Sequence, residues 1–420
     1  MPVQAPPLPS LPFPQIDVPR VERPSREEFM ARVRGAKPFI LQGCIDHWPL
    51  YRDLSQLATP AAKLRHLSRL LPNRNVRFTH LPPEEKGVFG YNDGARQSFA
   101  FNTKRLRFPE FADACTKTME DRTSGTLYMQ NLPLPELHAQ LGVLGQPVGF
   151  APIAPPSFWI GTGGQKVALH SDAFRNIITM LAGRKRLTLF APEELPNLYI
   201  APPDRRVGGS LGSLVKLTEP DFDKFPKFRA ALQRSHVAVI EPGDLLYLPS
   251  LWWHHVESFD LNIGLNCFFR EQRIDVSSYV PATGLMVALR HTPLDIRRSL
   301  HDGFTELLSG RPNPLSMDTP FASATVDAAA QINAALATLT PDQAALWRAW
   351  VLAFVGWCVF RLEEPFPTLP AGELDRMLER MSSWQWKLAQ TLRKTMFRVY
   401  ERAGGFTVRQ DQSIVQLAGR

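Results

Sequence analysis

Three side chains of this 420-residue chain have the types and the spacing of a metal-binding set. His170 and Asp172 stand two positions apart in LHSDAF, and His254 follows in SLWWHHVES. Side chains alternate between the two faces of a β-strand, so His170 and Asp172 would point to the same face of a strand. A second imidazole from a distant strand would complete a set of two histidines and one carboxylate. That set leaves coordination positions open and suits non-haem Fe(II).

The segments around these residues predict the short strands that would position them. An apolar run at 177–182 follows Asp172, Gly183 predicts a turn, and Lys185 opens a second apolar strand. From Glu241, EPGDLLYLP predicts a turn and a strand, and NIGLNCFF predicts a last strand. Histidine and aspartate are common at strand ends, so these surroundings carry more weight than the pair alone. Short strands separated by Gly and Pro are typical of a jelly-roll or a barrel.

Six segments together resemble the JmjC or cupin-like branch of the 2-oxoglutarate oxygenases, and within it the asparaginyl hydroxylases. They occur in the family's order over about residues 120–270 and read HSD, GRKRLTLFAP, EPDFDKFPKF, PGDLLYLP, WWHHVES and LNCFF. PFILQGCIDHWP resembles the family's amino-terminal part. The resemblance implies a double-stranded β-helix core, Fe(II) as the metal and 2-oxoglutarate as co-substrate. It also implies that His170, Asp172 and His254 are both the metal ligands and the catalytic residues.

The resemblance assigns two further residues to the co-substrate. Lys185 would pair with the distal carboxylate of 2-oxoglutarate, and Tyr128 would hydrogen-bond the co-substrate. The alternative for Lys185 is a solvated charge at a strand end. Arg184 and Arg186 would share the opposite face of the strand, so neither is an obvious substitute for Lys185.

Other residues would line the site. Asn176 and Asn266 match two asparagines of the family, with polar capping of strands as their alternative role. Phe268 falls on an aromatic wall position, and we place Trp252 with it in the substrate pocket. His255 would face away from its neighbour His254, so we expect it to be a wall or supporting residue rather than a metal ligand.

The sequence departs from the family at Val167. The family has a threonine at this position, three residues before the histidine of the HSD segment. A hydroxyl contact to the co-substrate is therefore missing or is supplied by another residue, such as Thr179 or Thr188.

The length of the chain predicts several lobes, since 420 residues is long for one domain. We expect an α+β fold in which Ser25 and Glu28 form a capping box at the start of the first helix. In order, the expected segments are a Pro-rich arm at 1–24, an α/β cap at 25–120, a jelly-roll at 121–272 and a helical region at 273–420.

Two apolar stretches of the carboxy-terminal region predict helices. AWVLAFVGWCVF at 349–360 is shorter than the roughly 20 apolar residues that a bilayer requires, so we expect a buried helix and no membrane partner. The segment 372–402 places its apolar residues near one face at helical spacing. That face would pack within the monomer or, as the resemblance implies, form a homodimer.

Charge and cysteine content bear on partners and compartment. A net charge of +8 allows an acidic or nucleic-acid partner, although a modest excess is also typical of an ordinary soluble surface. Cys44, Cys115, Cys267 and Cys358 are widely spaced and predict free thiols in a reducing, cytoplasmic compartment. The Pro-rich amino terminus has no apolar core of a signal peptide.

Three functions are compatible with these features. The first is an Fe(II)- and 2-oxoglutarate-dependent oxygenase that hydroxylates a C–H bond and releases succinate and CO2. Its expected substrate is a protein or peptide side chain, with RNA or a small molecule as alternatives. The second is a metal cupin without 2-oxoglutarate chemistry, against which Lys185 and Tyr128 argue. The third is a non-catalytic binding module, against which the intact triad argues.

Overall fold

The computed structural model forms two compact units, Met1–Ala191 with Val215–Arg270 and Pro192–Leu214 with Glu271–Arg420. The residues that the structure describes are 7–89, 91–92, 98–99, 102–141, 156–172, 175–199, 211–269, 294–312, 314–315, 320–337, 341, 344–345, 348, 351–352, 406–408 and 414–416.

The first helix of the first unit begins where the sequence predicts. Ser25 precedes the first helix, and its hydroxyl accepts a hydrogen bond from the Glu28 N–H at 3.2 Å. The Glu28 carboxylate accepts one from the Ser25 N–H at 2.8 Å, so the predicted capping box is confirmed. The helices are α1 (Arg26–Arg34), α2 (Pro49–Gln56), α3 (Pro60–Leu70), α4 (Phe108–Glu120) and α5 (Phe228–Leu232).

The strands along the described chain are mostly short, with two long exceptions. They are β1 (Ile16–Asp17), β2 (Arg20–Glu22), β3 (Phe39–Gln42), β4 (Asn75–Leu81), β5 (Val88–Phe89), β6 (Tyr91–Asn92), β7 (Ser98–Phe99), β8 (Asn102–Arg107), β9 (Thr126–Pro133), β10 (Ser157–Gly161), β11 (Lys166–Ser171), β12 (Arg175–Phe190), β13 (Leu211–Gly212), β14 (His236–Ile240), β15 (Leu245–Leu248), β16 (Trp253–Phe269), β17 (Phe406–Val408) and β18 (Ile414–Gln416).

One mixed sheet organises the first unit. Its main path runs β2-β3-β15-β12-β16-β10-β9-β4-β8, while β11 pairs with β16, and β14 pairs with β12. The long strands β12 and β16 are antiparallel from the pair Arg175 and Phe269 to the pair Phe190 and Trp253. This is the α+β fold with a jelly-roll core that the sequence predicts. β4 pairs with β9, so the sheet crosses the boundary predicted at residue 120 between the cap and the jelly-roll. The predicted domain boundaries stay predictions.

Apolar side chains cover both faces of the sheet. On the outer face, residues of β12 such as Ile177 pack in one cluster with helix residues such as Phe29 and Phe111. On the inner face, Ile178 packs in a second cluster with Leu187 and with residues of β14, β15 and β16. This burial of apolar surface stabilises the sheet that carries the site.

Strand β12 continues through Gly183. Gly183 has φ +76°, and a Cβ at this position would lie 2.1 Å from the carbonyl oxygen of Leu261. The pairing with β16 shifts register on both sides of Ala182. The sequence predicts a turn and a second strand here, and that prediction is wrong, because one strand, Arg175–Phe190, continues through the glycine with irregular pairing to β16.

Gly183→Ala is expected to destabilise the first unit by about 3 kcal/mol. A left-handed backbone costs an alanine about 1–2 kcal/mol, and the clash with Leu261 adds about 1–3 kcal/mol. Urea unfolding followed by circular dichroism measures the loss. Gly164→Ala is the matched control, because Gly164 has φ +82° but its Cβ would meet no atom closer than Thr126 Oγ1 at 3.8 Å. Equal losses in both variants would assign the cost to the backbone alone.

In the second unit, α6 (Leu294–Leu308) and α7 (Pro320–Leu336) pack together. Asn333 Nδ2 donates to the Leu307 carbonyl at 2.9 Å, and Phe304 and Ile332 are fully buried. Of the helix predicted at 349–360, only residues 351–352 are described, and they are helical. The segment 372–402 and its predicted homodimer face lie outside the described residues. Within the described part of the chain, every helix is too short or too polar to cross a bilayer.

Candidate metal centre

Pairing of β11 with β16 brings the three predicted ligands together. His170 stands opposite His254 in the register of the two strands, and Asp172 follows just after β11. One ligand atom from each residue lies within 4.8 Å of the other two, and His254 Nε2 is 3.7 Å from Asp172 Oδ2. Metal–ligand bonds of about 2.1 Å separate neighbouring ligand atoms by roughly 3–4 Å. The three side chains can therefore contact one ion after a small adjustment.

Backbone carbonyls fix the orientation of both imidazoles. His170 Nδ1 donates to the Ala168 carbonyl at 2.8 Å, and His254 Nδ1 donates to the Trp252 carbonyl at 3.1 Å. A carbonyl oxygen only accepts hydrogen bonds, so Nδ1 of each ring carries a proton. Nε2 is then the atom that could bind a metal, and a hydrogen bond from the other ring nitrogen is typical of histidine ligands.

His255 faces the other side of β16. It stands opposite Thr188, away from the face that carries His254, and it is 4% exposed. Burial, together with the positive charge of neighbouring groups, lowers the pKa of His255 to about 3. The ring is therefore neutral, and its predicted role as a wall or supporting residue stays a prediction.

Lys185 is a buried cation on the inner face. It stands opposite Ser258 of β16 and Ile240 of β14 and is 4% exposed. Among the described residues no carboxylate pairs with it, whereas Arg184 pairs with Asp260 at 2.8 Å. Burial lowers the pKa of Lys185 from 10.5 to about 8, because the charged form is poorly solvated. An ammonium in this position calls for an anion, and its predicted role remains a prediction.

Arg186 is also excluded as a partner for a bound anion. Its guanidinium pairs with Glu257 at 2.6 Å and donates to the Pro9 carbonyl of the amino-terminal arm. Both neighbours of Lys185 therefore already have acidic partners, which is consistent with their predicted place on the opposite face.

The residues predicted to contact the co-substrate lie on the inner face, as Lys185 does. Tyr128 is 2% exposed between the rings of Phe89 and Trp159, and burial raises its pKa well above the ordinary value. Asn176 is 1% exposed, and neither its Oδ1 nor its Nδ2 has a hydrogen-bond partner among the described residues. Asn266 is half-buried opposite Ile178. The Asn176 amide thus caps no strand and remains available to a ligand.

The two predicted pocket aromatics have different surroundings. Phe268 is half-buried opposite Asn176 on the inner face. Trp252 is 5% exposed, its Nε1 donates to the Ala36 carbonyl at 3.0 Å, and its ring meets His236 edge-on. Trp252 therefore packs in the inner apolar cluster, and its contribution to a substrate pocket stays a prediction.

Two residues that the sequence does not single out lie in line with Lys185 across neighbouring strands: Ser258 is opposite the lysine, and Gln165 is on the far side of Ser258. Gln165 is fully buried, and both polar atoms of its side chain lack partners among the described residues. The Ser258 hydroxyl also lacks a hydrogen-bond partner among the described residues.

Thr179 and Thr188, the expected substitutes for the hydroxyl missing at Val167, lie on the outer face. A glutamine next to two glycines looks like a loop residue, so the sequence carries no signal for its burial.

Comparison with known families gives a match over most of this region. A family model described as Cupin-like domain matches residues 25–274. The matched range is more than half of the chain and contains all of the candidate site residues.

Three proteins with different names are similar in sequence to parts of this chain. HSPB1-associated protein 1 from Rattus norvegicus is 38% identical over an alignment of 222 residues that covers 47% of this chain and 42% of that protein. Lysine-specific demethylase 8 from Xenopus tropicalis is 27% identical over an alignment of 239 residues that covers 55% of this chain and 47% of that protein. tRNA wybutosine-synthesizing protein 5 from Mus musculus is 34% identical over 113 residues, 27% of this chain and 33% of that protein. Each match spans less than half of the relative's own length.

Proposed function

Because the chain belongs to the cupin-like domain family, we propose that it is an Fe(II)- and 2-oxoglutarate-dependent oxygenase that hydroxylates a C–H bond of its substrate. One observation carries this proposal. The cluster of His170, Asp172 and His254 shares the inner face with Lys185, a buried cation without a carboxylate partner among the described residues. A divalent metal and an anionic co-substrate complement these two features.

The residues present fit the metal. Two imidazoles with Nδ1 protonated and one carboxylate form a donor set for Fe(II) that leaves positions open for other ligands. When bound, Fe(II) and 2-oxoglutarate supply the oxidation, in which the keto acid loses CO2, and O2 gives one oxygen to succinate and one to the substrate.

The protein's own part is to hold the distal end of the co-substrate. Lys185 pairs with Ser258, which is four residues along β16 from His254, a distance of roughly 13 Å of strand. A lysine side chain and a five-carbon dicarboxylate together bridge that span. The ammonium donates charge-assisted hydrogen bonds to the distal carboxylate, and the apolar inner cluster excludes water from them.

We infer that the substrate is a protein or peptide side chain. The similarity to a protein named lysine-specific demethylase 8 supports an amino-acid side chain as the substrate. RNA is the second candidate, favoured by the similarity to tRNA wybutosine-synthesizing protein 5 and by the net charge of +8. The free thiols of Cys44, Cys115 and Cys267 support a reducing, cytoplasmic location.

The test is production of succinate from 2-oxoglutarate by purified protein supplied with Fe(II) and O2. Peptide, RNA and metabolite fractions of a cell extract are added separately, and the fraction that accelerates turnover identifies the substrate class. Asp172→Ala is the control for contaminating activity. A protein that binds iron but forms no succinate would be a metal cupin of another chemistry, and one that does neither would be a binding module.

Affinity for 2-oxoglutarate is expected to fall as the pH rises above about 8. Binding requires the ammonium form of Lys185, whose pKa of about 8 makes it mostly neutral at pH 9.5 without ligand. At high pH, Lys185 must take up a proton when 2-oxoglutarate binds. This requirement weakens the affinity by about tenfold to thirtyfold between pH 7 and pH 9.5. Calorimetry on metal-loaded, oxygen-free protein measures this. Lys185→Arg stays charged throughout the range, so its weaker affinity should not change. If the affinity of the parent for 2-oxoglutarate does not change with pH, Lys185 does not bind the co-substrate.

A further inference from the structure

We propose that Gln165 and Ser258 complete the binding site for the distal carboxylate of the co-substrate together with Lys185. The inference rests on the proposed function and extends it to two residues to which the sequence analysis assigns no role.

The three residues stand side by side on neighbouring segments. Ser258 is directly opposite Lys185 in the pairing of β16 with β12. On its other side, the Ser258 N–H donates to the Gln165 carbonyl at 2.9 Å, and the Ser258 carbonyl accepts from the Gly164 N–H at 2.8 Å. Opposed residues of antiparallel strands present their side chains on the same face, about 4.5–5.5 Å apart. Ser258 therefore lies between Lys185 and Gln165.

Each of the three side chains is buried with unused hydrogen-bonding capacity. Gln165 is 0% exposed and Ser258 2%, and the polar atoms of both side chains lack partners among the described residues. Buried polar groups in native proteins almost always have partners, so a group of them without any indicates a ligand. An ammonium, an amide N–H and a hydroxyl can all donate. The ligand that complements three converging donors is an anion with several acceptor oxygens, as a carboxylate is.

Gly161 provides the space for the Gln165 side chain. A Cβ at Gly161 would lie 1.6 Å from Gln165 Nε2 and 2.9 Å from Tyr128 Cδ2. The amide therefore lies over the backbone of Gly161 and beside the ring of Tyr128, the residue expected to contact the co-substrate. Only glycine allows this close approach. The amide is thus held at the part of the inner face where the keto acid would lie.

This arrangement accounts for Val167. Its side chain packs against the apolar residues of the inner face and offers no hydroxyl. Gln165 precedes it by two positions, and strand alternation places both on the same face. The side chain of Gln165 is longer than that of threonine, so its N–H can reach the place of the hydroxyl that Val167 lacks. Thr179 and Thr188 cannot do so, because they point to the outer face.

The experiment compares two ligands in metal-loaded, oxygen-free protein by calorimetry. 2-Oxoglutarate has the distal carboxylate, and pyruvate keeps the keto-acid group but lacks it. Gln165→Met, close to the parent in size, and Ser258→Ala should each bind 2-oxoglutarate about tenfold to a hundredfold more weakly, as expected for loss of a hydrogen bond to a charged group. Pyruvate affinity and metal content should stay at the parent's values, which also shows that the variants are folded.

A second variant guards against a folding defect in the first. Gln165→Glu keeps the shape of the side chain and places a negative charge beside the carboxylate, so it should weaken 2-oxoglutarate binding more than Gln165→Met does. If both Gln165 variants bind 2-oxoglutarate like the parent while Lys185→Ala does not, the assignment of Gln165 is wrong and the proposed function stands. If the metal-loaded parent itself binds no 2-oxoglutarate, the proposed function fails and this inference fails with it.

Discussion

Asp172→Ala is expected to lose the metal. Asp172 contributes the carboxylate of the cluster, and its Oδ2 lies 3.7 Å from Nε2 of His254. Without it, two neutral imidazoles would have to hold a divalent cation with no negative charge to offset it. Loss of a supporting residue alone costs metal sites about 10–100-fold in affinity, so loss of the anionic ligand should exceed a hundredfold. Iron content after dialysis measures this, with about one equivalent expected in the parent.

The neighbouring histidines provide the control for this prediction. His254→Ala should lose most of the metal, whereas His255→Ala should retain it, because His255 faces the other side of β16. Both substitutions remove a buried imidazole from the same strand, so a general loss of stability would affect them alike. The reverse order would move the ligand by one residue, and unchanged iron content in Asp172→Ala would dismiss the triad.

Lys185→Ala is expected to weaken 2-oxoglutarate binding by about two to three orders of magnitude. The substitution leaves the distal carboxylate buried without a counter-charge, which costs about 3–5 kcal/mol, and each 1.4 kcal/mol is about tenfold in affinity. Metal content should hardly change, because the lysine is not in the ligand cluster. The measurement is a titration of 2-oxoglutarate into metal-loaded protein under argon.

Lys185→Arg separates charge from shape. It restores the positive charge, but its planar fork must fit a site shaped for an ammonium, so recovery should be partial. Arg184→Ala is the second control, because Arg184 already pairs with Asp260 at 2.8 Å. If Lys185→Ala binds the keto acid as tightly as the parent, Lys185 is not the anchor of the distal carboxylate.

Local signals in the sequence were sufficient for much of the fold. Ser25 and Glu28 predict a helix start whose reciprocal hydrogen bonds form as expected, because a capping box depends on residues only three positions apart. The cluster of His170, Asp172 and His254 follows in part from a local pattern. The alternation of a strand predicts that two of the candidate ligands share a face, and the resemblance to the family supplies the third.

Features that depend on distant partners could not be predicted in the same way. A turn and a bulge both place glycine at positive φ, so Gly183 does not reveal whether its strand ends or continues. The answer depends on β16, which pairs with β12 on both sides of the glycine. For the same reason, the burial of Gln165 follows from its position beside Ser258 and above Gly161, and no short stretch of sequence specifies either contact.

The pairing of β3 with β15 has a consequence for the synthesis of the chain. Phe39 of β3 pairs with Tyr247 of β15, and Arg20 bonds Asp244 at 2.9 Å, so the partners are more than 200 residues apart. At 5–20 residues per second, a ribosome takes roughly 10–40 s to supply the second partner after the first has emerged. During that interval the apolar residues of β3 lack the strand that pairs with them in the folded protein, which favours association with other chains. We therefore expect fragments that end before Leu245 to aggregate more readily than the full chain.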